Sequence, residues 1–235
     1  MVERYARDMA NGEWVMRGDA IEFSTKGKLI NGQHRLTAIV KSGAAVALLV
    51  GRNLPEETQG VTDLGGPRRP GDHLGILGYK NPAQVGTIAR LGWHYDNVPS
   101  HRPGNAKTSP TGAEVYNWVA DNPIVELAAA TAIDLRNRIG LPIAASGLAF
   151  VLCSRVDAEQ AVEFMARLGD GADLDSDSPI LAMRNRVIRE KAAGGRVANS
   201  DWLKMLIQTW NAWREGRALL RVTRQGPSDD FPTPV

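Results

Sequence analysis

The stretch Lys28-Leu29-Ile30-Asn31-Gly32-Gln33-His34-Arg35-Leu36-Thr37-Ala38-Ile39 restricts the fold more than any other part of the chain. Leu29 and Ile30 read as the end of an apolar strand, Asn31-Gly32 is a strong turn signal, and Leu36, Ile39 and Val40 recur at helical spacing on one side. A strand must therefore pass through a tight turn into a helix whose first turn carries Gln33, His34 and Arg35. The first N–H groups of a helix have no intrahelical partner, and the helix dipole favours negative charge there, so this turn is an anion site in the making.

The flanking residues extend that unit. Val2, Tyr5, Ala6 and Met9 share one stripe of a short amphipathic helix that Asn11-Gly12 stops. Ala20-Ile21-Glu22-Phe23-Ser24 alternates apolar with polar residues, and Thr25-Lys26-Gly27 turns it into Lys28-Leu29-Ile30, a β-hairpin. The helix over 33–41 ends at Ser42-Gly43, and the continuous apolar run over 44–50 predicts a buried strand. Asn53-Leu54-Pro55 reads as the entry to another helix, with Pro55 suited to a first helical turn.

Beyond a Gly/Pro-rich, charged loop over 63–74, β signals are few. Helices are expected over 82–95, 112–122, 124–139, 143–154, 158–168, 179–193 and 200–216. Caps stand at Asn81 before Pro82, at Thr111 three residues before Glu114, at Ser178 before Pro179 and at Ser200 before Trp202. Loops are expected over 96–110 and 169–178, and the Pro-rich end should be extended, docking through Phe231. The fold class is α+β and mainly helical overall. A small α/β domain spans 1–75, an α-helical domain 76–225, and an extended tail 226–235.

Composition narrows the function classes. With 235 residues and 43% hydrophobic, the chain has enough material for a sizeable core. The formal net charge is only +2, so a nucleic-acid surface has to come from local arginine clusters. The single cysteine, Cys153, excludes a disulfide framework within the chain and any multi-cysteine zinc site. No run approaches the apolar length of a membrane span, the polar first residues do not read as a signal peptide, and the expected location is cytoplasmic without a membrane partner.

Asn31-Gly32-Gln33-His34-Arg35-Leu36, with a helix before it and an apolar run after Gly43, resembles the Gly-x-x-Arg motif of the ParB/sulfiredoxin-like superfamily and its "DGQHR" branch, with Asn31 in place of the usual Asp. The wider pattern looks like phage and actinobacterial ParB-like proteins. The likeness covers roughly residues 2–74. It implies a small α/β domain whose Gly-x-x-Arg turn binds the phosphates of a nucleoside triphosphate, CTP or ATP, with magnesium as a further expectation. Residue by residue, Gly32 supplies the backbone approach, Arg35 the phosphate-binding guanidinium and His34 a second phosphate contact, with Asn31 and Gln33 in the same turn. Gln33 stands where sulfiredoxin has its catalytic cysteine, which removes sulfinic acid reduction. The chemistry agrees independently, since a planar Arg fork and an imidazole suit phosphate oxygens. The bland alternative is an Arg35 paired within the core and a His34 capping a neighbouring strand.

Other constellations leave alternatives open. Arg68 and Arg69, in the Gly-rich loop, are candidates for phosphate of a nucleotide or of DNA, and Asp63 and Asp72 for a divalent ion; an exposed linker is the other reading. His34, Asp63 and Glu22 are the candidate catalytic groups, although Glu22 also fits the polar side of an edge strand. Arg184, Arg186 and Arg189 form a cluster suited to DNA phosphates, or else an ordinary solvated helix face. Trp202, Trp210 and Trp213 fit helical core spacing better than base stacking, and Asp170 to Asp177 fit a solvated turn better than a calcium loop. Three readings remain: a ParB-like nucleotide-binding protein acting on or with DNA, either a switch or an NTPase; a metal-dependent DNA nuclease or a kinase on the same fold; and a non-enzymatic DNA-binding regulator. A homodimer is compatible with all three.

Overall fold

The chain is described by a computed structural model that covers residues 1–16, 18–55, 71, 74–75, 77–98, 109–223 and 231–235. It forms two compact units: Met1–Arg69 with Gly104–Glu114, and Pro70–Pro103 with Val115–Val235.

In the first unit, α1 (Val2–Ala10) buries Ala6 and Met9, the stripe that its periodicity marks out. These meet Ala38 of α2 (Gln33–Ser42), with Val2, Tyr5, Trp14, Ile39, Ala44 and Val46 packed around them. Tyr5 and Trp14 meet edge to face at 5.5 Å. Strands β1 (Ile21–Ser24) and β2 (Leu29–Asn31) form the expected antiparallel hairpin. The Ser24 hydroxyl closes its turn by accepting from the N–H groups of Lys26 (3.2 Å) and Lys28 (3.1 Å).

The third strand differs from its sequence expectation. Residues 44–49 are not in a strand, and β3 runs over Val50–Leu54, parallel to β1. The sheet order is β2-β1-β3, so β3 lies at an edge, and its first residue, Val50, is 47% exposed. The apolar run gives no period-two signal, so it could not separate a buried strand from an extended approach to one. Asn53 and Leu54, expected at a helix entry, belong to β3; residues 56 onward of that helix lie outside the described residues. The same sheet order makes β1 the central strand, so Glu22 does not lie on an edge.

In the second unit, the helices are α3 (Pro82–Asn97), α4 (Gly112–Asp121, whose first turn belongs to the first unit), α5 (Val125–Arg138), α6 (Ile143–Ser154), α7 (Ala158–Asp170), α8 (Pro179–Ala193) and α9 (Asn199–Arg214). Residues Ala144 to Cys153 of α6 are all buried, as an all-round apolar helix must be in a large core. Trp202, Leu203, Met205, Leu206 and Trp210 of α9 join the same core. Gly92 lets the Trp118 indole lie against α3: a Cβ there would stand 2.1 Å from its ring. A polar clamp ties α3, α4 and α6 together. Arg155 donates to both carboxylate oxygens of Asp96 (2.9 and 2.8 Å) and to Asn122 Oδ1, while Trp118 Nε1 donates to Asp96 (2.7 Å).

Helix starts follow the cap rules unevenly. Thr111 and Glu114 form a reciprocal capping box, with N–H to side chain distances of 2.6 and 3.1 Å. Asn81 and Ser178 precede α3 and α8 as expected but make no side-chain cap hydrogen bond. Ser200 does not cap α9: the helix begins after Ala198, and Ser200 is buried inside its first turn. Asp157, with no cap expected from its sequence, caps α7 by accepting from the Gln160 N–H at 3.0 Å. Among the described residues, no helix is long and apolar enough to cross a membrane.

Candidate anion-binding site

Gly32 sets the geometry of the turn. It sits immediately before α2 with φ 100° and ψ 9°, in the left-handed region that residues with a Cβ rarely occupy. A Cβ there would fall 2.9 Å from Ile21 Cγ1 and 3.2 Å from Ile21 Cα. The strand-turn-helix therefore brings the start of α2 directly against β1, with glycine required by the backbone angle and by the space. Arg35 and Leu36 donate their N–H groups back to the Gly32 carbonyl at 3.0 Å each, and Gly32 at the N-cap has no side chain with which to cap the helix. An uncapped helix N-terminus keeps its partial positive charge available to an anion.

The polar residues of the turn lie in two settings. Gln33 and His34 are exposed at the helix start. Arg35 is half-buried, and its guanidinium donates to the backbone carbonyls of Asp19 and Ala20, the latter at 2.9 Å. Two of its five N–H donors are thus engaged, and since both partners are neutral carbonyls its charge is uncompensated by a carboxylate at these contacts. Among the described residues, Arg35 pairs with backbone carbonyls and not with the core carboxylate that the bland reading supposes.

Glu22 is the cross-strand neighbour of Asn31 on one side and of Gly51 on the other. One of its carboxylate oxygens, Oε2, is buried without a hydrogen-bond partner among the described residues. The structure therefore gathers Asn31, Gly32, Gln33, His34 and Arg35 at one turn, with Glu22 on the strand beside it. Asp63, Arg68, Arg69 and Asp72 lie outside the described residues. Among the described residues, no group of three His, Cys, Asp or Glu side chains is placed to hold a metal ion.

The arginines of the helical unit have individual roles. Arg184 donates to the Leu168 and Gly169 carbonyls at 2.5 and 3.0 Å, near the C-terminal end of α7, where a cation complements the helix dipole. Arg186 is largely buried; it pairs with Glu190 at 2.5 Å and donates to the Val222 carbonyl at 3.3 Å. Arg189 is exposed, and its Nε donates to the Asn185 carbonyl at 3.3 Å. Of the three, Arg189 alone presents an exposed guanidinium. Asp173, Asp175 and Asp177 line a shallow cleft of about 210 Å³ with Arg167, Trp213 and Arg217. Cys153 is enclosed in α6, where burial pushes its thiol pKa up and away from reactivity.

Comparison of the chain with family models, with functionally described proteins and with solved structures returns no match.

Proposed function

We propose that the first unit binds a phosphate group of a nucleotide at the Gly32 turn, as the resemblance to the ParB/sulfiredoxin-like superfamily implies, and that the protein acts on or with DNA. The observation that carries the reading is the turn itself: a left-handed glycine packed on Ile21, followed by an uncapped helix whose first turn exposes His34. Phosphate oxygens would take the free N–H groups of that first turn and the His34 imidazole. Arg35, held against the entry to β1, would contribute charge and its remaining donors. A nucleoside triphosphate, CTP or ATP, with magnesium is the ligand proposed. The DNA partner and a phage or mobile-element role rest on the resemblance.

The test is calorimetry of the whole chain with CTP and ATP, each with and without magnesium. His34 is exposed, so His34→Ala should leave the melting temperature unchanged while weakening nucleotide binding by roughly ten- to a hundredfold, the worth of one charge-assisted contact. Failure of every nucleotide to bind would remove the proposal. The buried Glu22 oxygen, without a partner among the described residues, favours a second reading in which the bound nucleotide or a DNA phosphodiester is hydrolysed, with Glu22 as general base. Hydrolysis that continues undiminished in Glu22→Gln would exclude that role.

A further inference from the structure

Residues Phe231 to Val235 are in no helix or strand, and they lie along α9 in a set of side-chain contacts that recur at every second position. The Phe231 ring meets Tyr95 edge to face at 5.5 Å, and Lys204 Nζ stands 5.3 Å from the centre of the same ring. Asn211 reads the backbone twice: its Nδ2 donates to the Thr233 carbonyl at 2.9 Å, and its Oδ1 accepts from the Val235 N–H at 3.1 Å. The Val235 backbone oxygen accepts from Trp210 Nε1 at 3.1 Å and from Arg214 at 3.0 Å, with the Arg214 guanidinium stacked 5.3 Å from the Trp210 ring centre.

Contacts at 231, 233 and 235 follow the two-residue repeat of an extended chain. Between them stand Pro232 and Pro234, which have no N–H to satisfy and hold the backbone extended. The groove therefore asks three things of its occupant: an aromatic ring at the first position, an extended proline-x-proline backbone, and a free carbonyl and N–H at the third and fifth residues. The first two depend on residue type, and the third is met by the backbone of any residue. Binding preordered, proline-rich backbone on a surface of aromatic rings and fixed donors is a recurrent way to recognise peptides. Lys204, Asn211, Arg214 and the Trp210 indole N–H all face the segment, so the face offers fixed polar partners for an extended backbone as well as rings.

We propose that this face of α9 is a peptide-recognition groove for an extended five-residue segment, aromatic at its first position and with proline at its second and fourth, presented by another protein, and that residues 231–235 occupy it in cis as a built-in competitor. A segment tethered to its own groove acts at an effective concentration on the order of millimolar for a short linker, so it sets a threshold that a partner must exceed.

The probe is the peptide Phe-Pro-Thr-Pro-Val, amidated at its end so that the last residue offers a carbonyl, and labelled with a dye through a spacer. Its fluorescence anisotropy is followed with the unaltered chain, with Phe231→Ala, and with Phe231→Ala combined with Asn211→Ala. Removing the cis anchor should make binding saturable and at least about tenfold tighter than to the unaltered chain, and loss of the two Asn211 bonds should weaken it at least about tenfold. Equal binding with and without Asn211, or none to a Phe231→Ala chain that melts like the unaltered one, would overturn the proposal. Dimers of the unaltered chain that vanish in Phe231→Ala would overturn it too, because the occupant would then be the tail of a second copy. Should Phe231→Ala fail to fold, a peptide with a fluorinated phenylalanine is titrated into the unaltered chain. A fluorine resonance that shifts with added protein supports the groove, and one that stays at the free-peptide position at millimolar protein overturns it.

Discussion

Helices α2 and α6 have ten and twelve residues, and they are held in place by different means. Every residue of α6 from Ala144 to Cys153 is buried, so its position follows from packing. In α2 only Ala38 is fully enclosed, Val40 is 84% exposed, and a left-handed glycine stands at each end, Gly32 and Gly43. A helix with so little buried apolar surface depends on its ends, and the first of them, at Gly32, is where the candidate anion site lies. The helical unit should therefore be most sensitive to cavities and the first unit to changes of backbone.

The largest effect belongs to the helical core. Phe164 is fully buried and meets Trp210 and Trp213 with ring centres 5.5 Å away in each case. Phe164→Ala should cost about 3–5 kcal/mol by urea denaturation, since lost transfer energy and an unfilled cavity add. A loss below about 1 kcal/mol would mean that this core collapses freely, and the contrast with α2 would fail.

Next come the two glycines, which separate backbone strain from crowding. Gly43 has φ 65° with open space where a Cβ would stand, so Gly43→Ala should cost only the left-handed penalty, about 1–2 kcal/mol. Gly32→Ala carries the same penalty and also drives a methyl into Ile21, adding about 1–3 kcal/mol. Denaturation of the two variants side by side checks the order. Equal losses would show that Ile21 moves aside, and that the turn is less rigid than its use as a phosphate cradle requires.

Much of this architecture is legible in the residues. The hairpin, the start of α2 and the bounds of α6 and α8 follow from turn residues and period, because Asn-Gly, Ser-Gly and Pro act locally. The strand after α2 was not legible, since an unbroken apolar run carries no sign of which residues pair. The arginines were legible in part: Glu190, four residues after Arg186, signals their pairing, but only the fold shows the backbone carbonyls that receive Arg184 and Arg186. Phe231 was the one sequence signal for the groove on α9, an aromatic residue among prolines. Asn211 and Lys204, which complete the groove, look like ordinary helix residues until the tail is seen against them.

The smallest effect is a pair of titrations with opposite sign. His94, in α3 of the helical unit, is buried with Nδ1 unpartnered among the described residues. Burial, with Arg90 one turn earlier adding to it, lowers its pKa below the ordinary 6.5. The folded state then resists the proton that the unfolded chain accepts, so stability is full above pH 6.5 and falls as the pH drops through that value. Asp8, in α1 of the first unit, moves the other way. Burial raises its pKa above 3.8, with Glu114 and Glu13 adding, against the Thr111 hydrogen bond and Arg7. Here the folded state takes up the proton first, so Asp8 favours folding more as the pH falls through its raised value and fully below 3.8. Hydrogen exchange at pH 7 and at pH 5, corrected for intrinsic rates, should therefore show protection falling in the helical unit in a way that His94→Gln abolishes. In the first unit, with the exchange carried on from pH 5 to below pH 3.8, the unaltered chain should lose less protection than Asp8→Asn does. Identical pH responses in the unaltered chain and both variants would show that neither buried group governs the acid response of its unit.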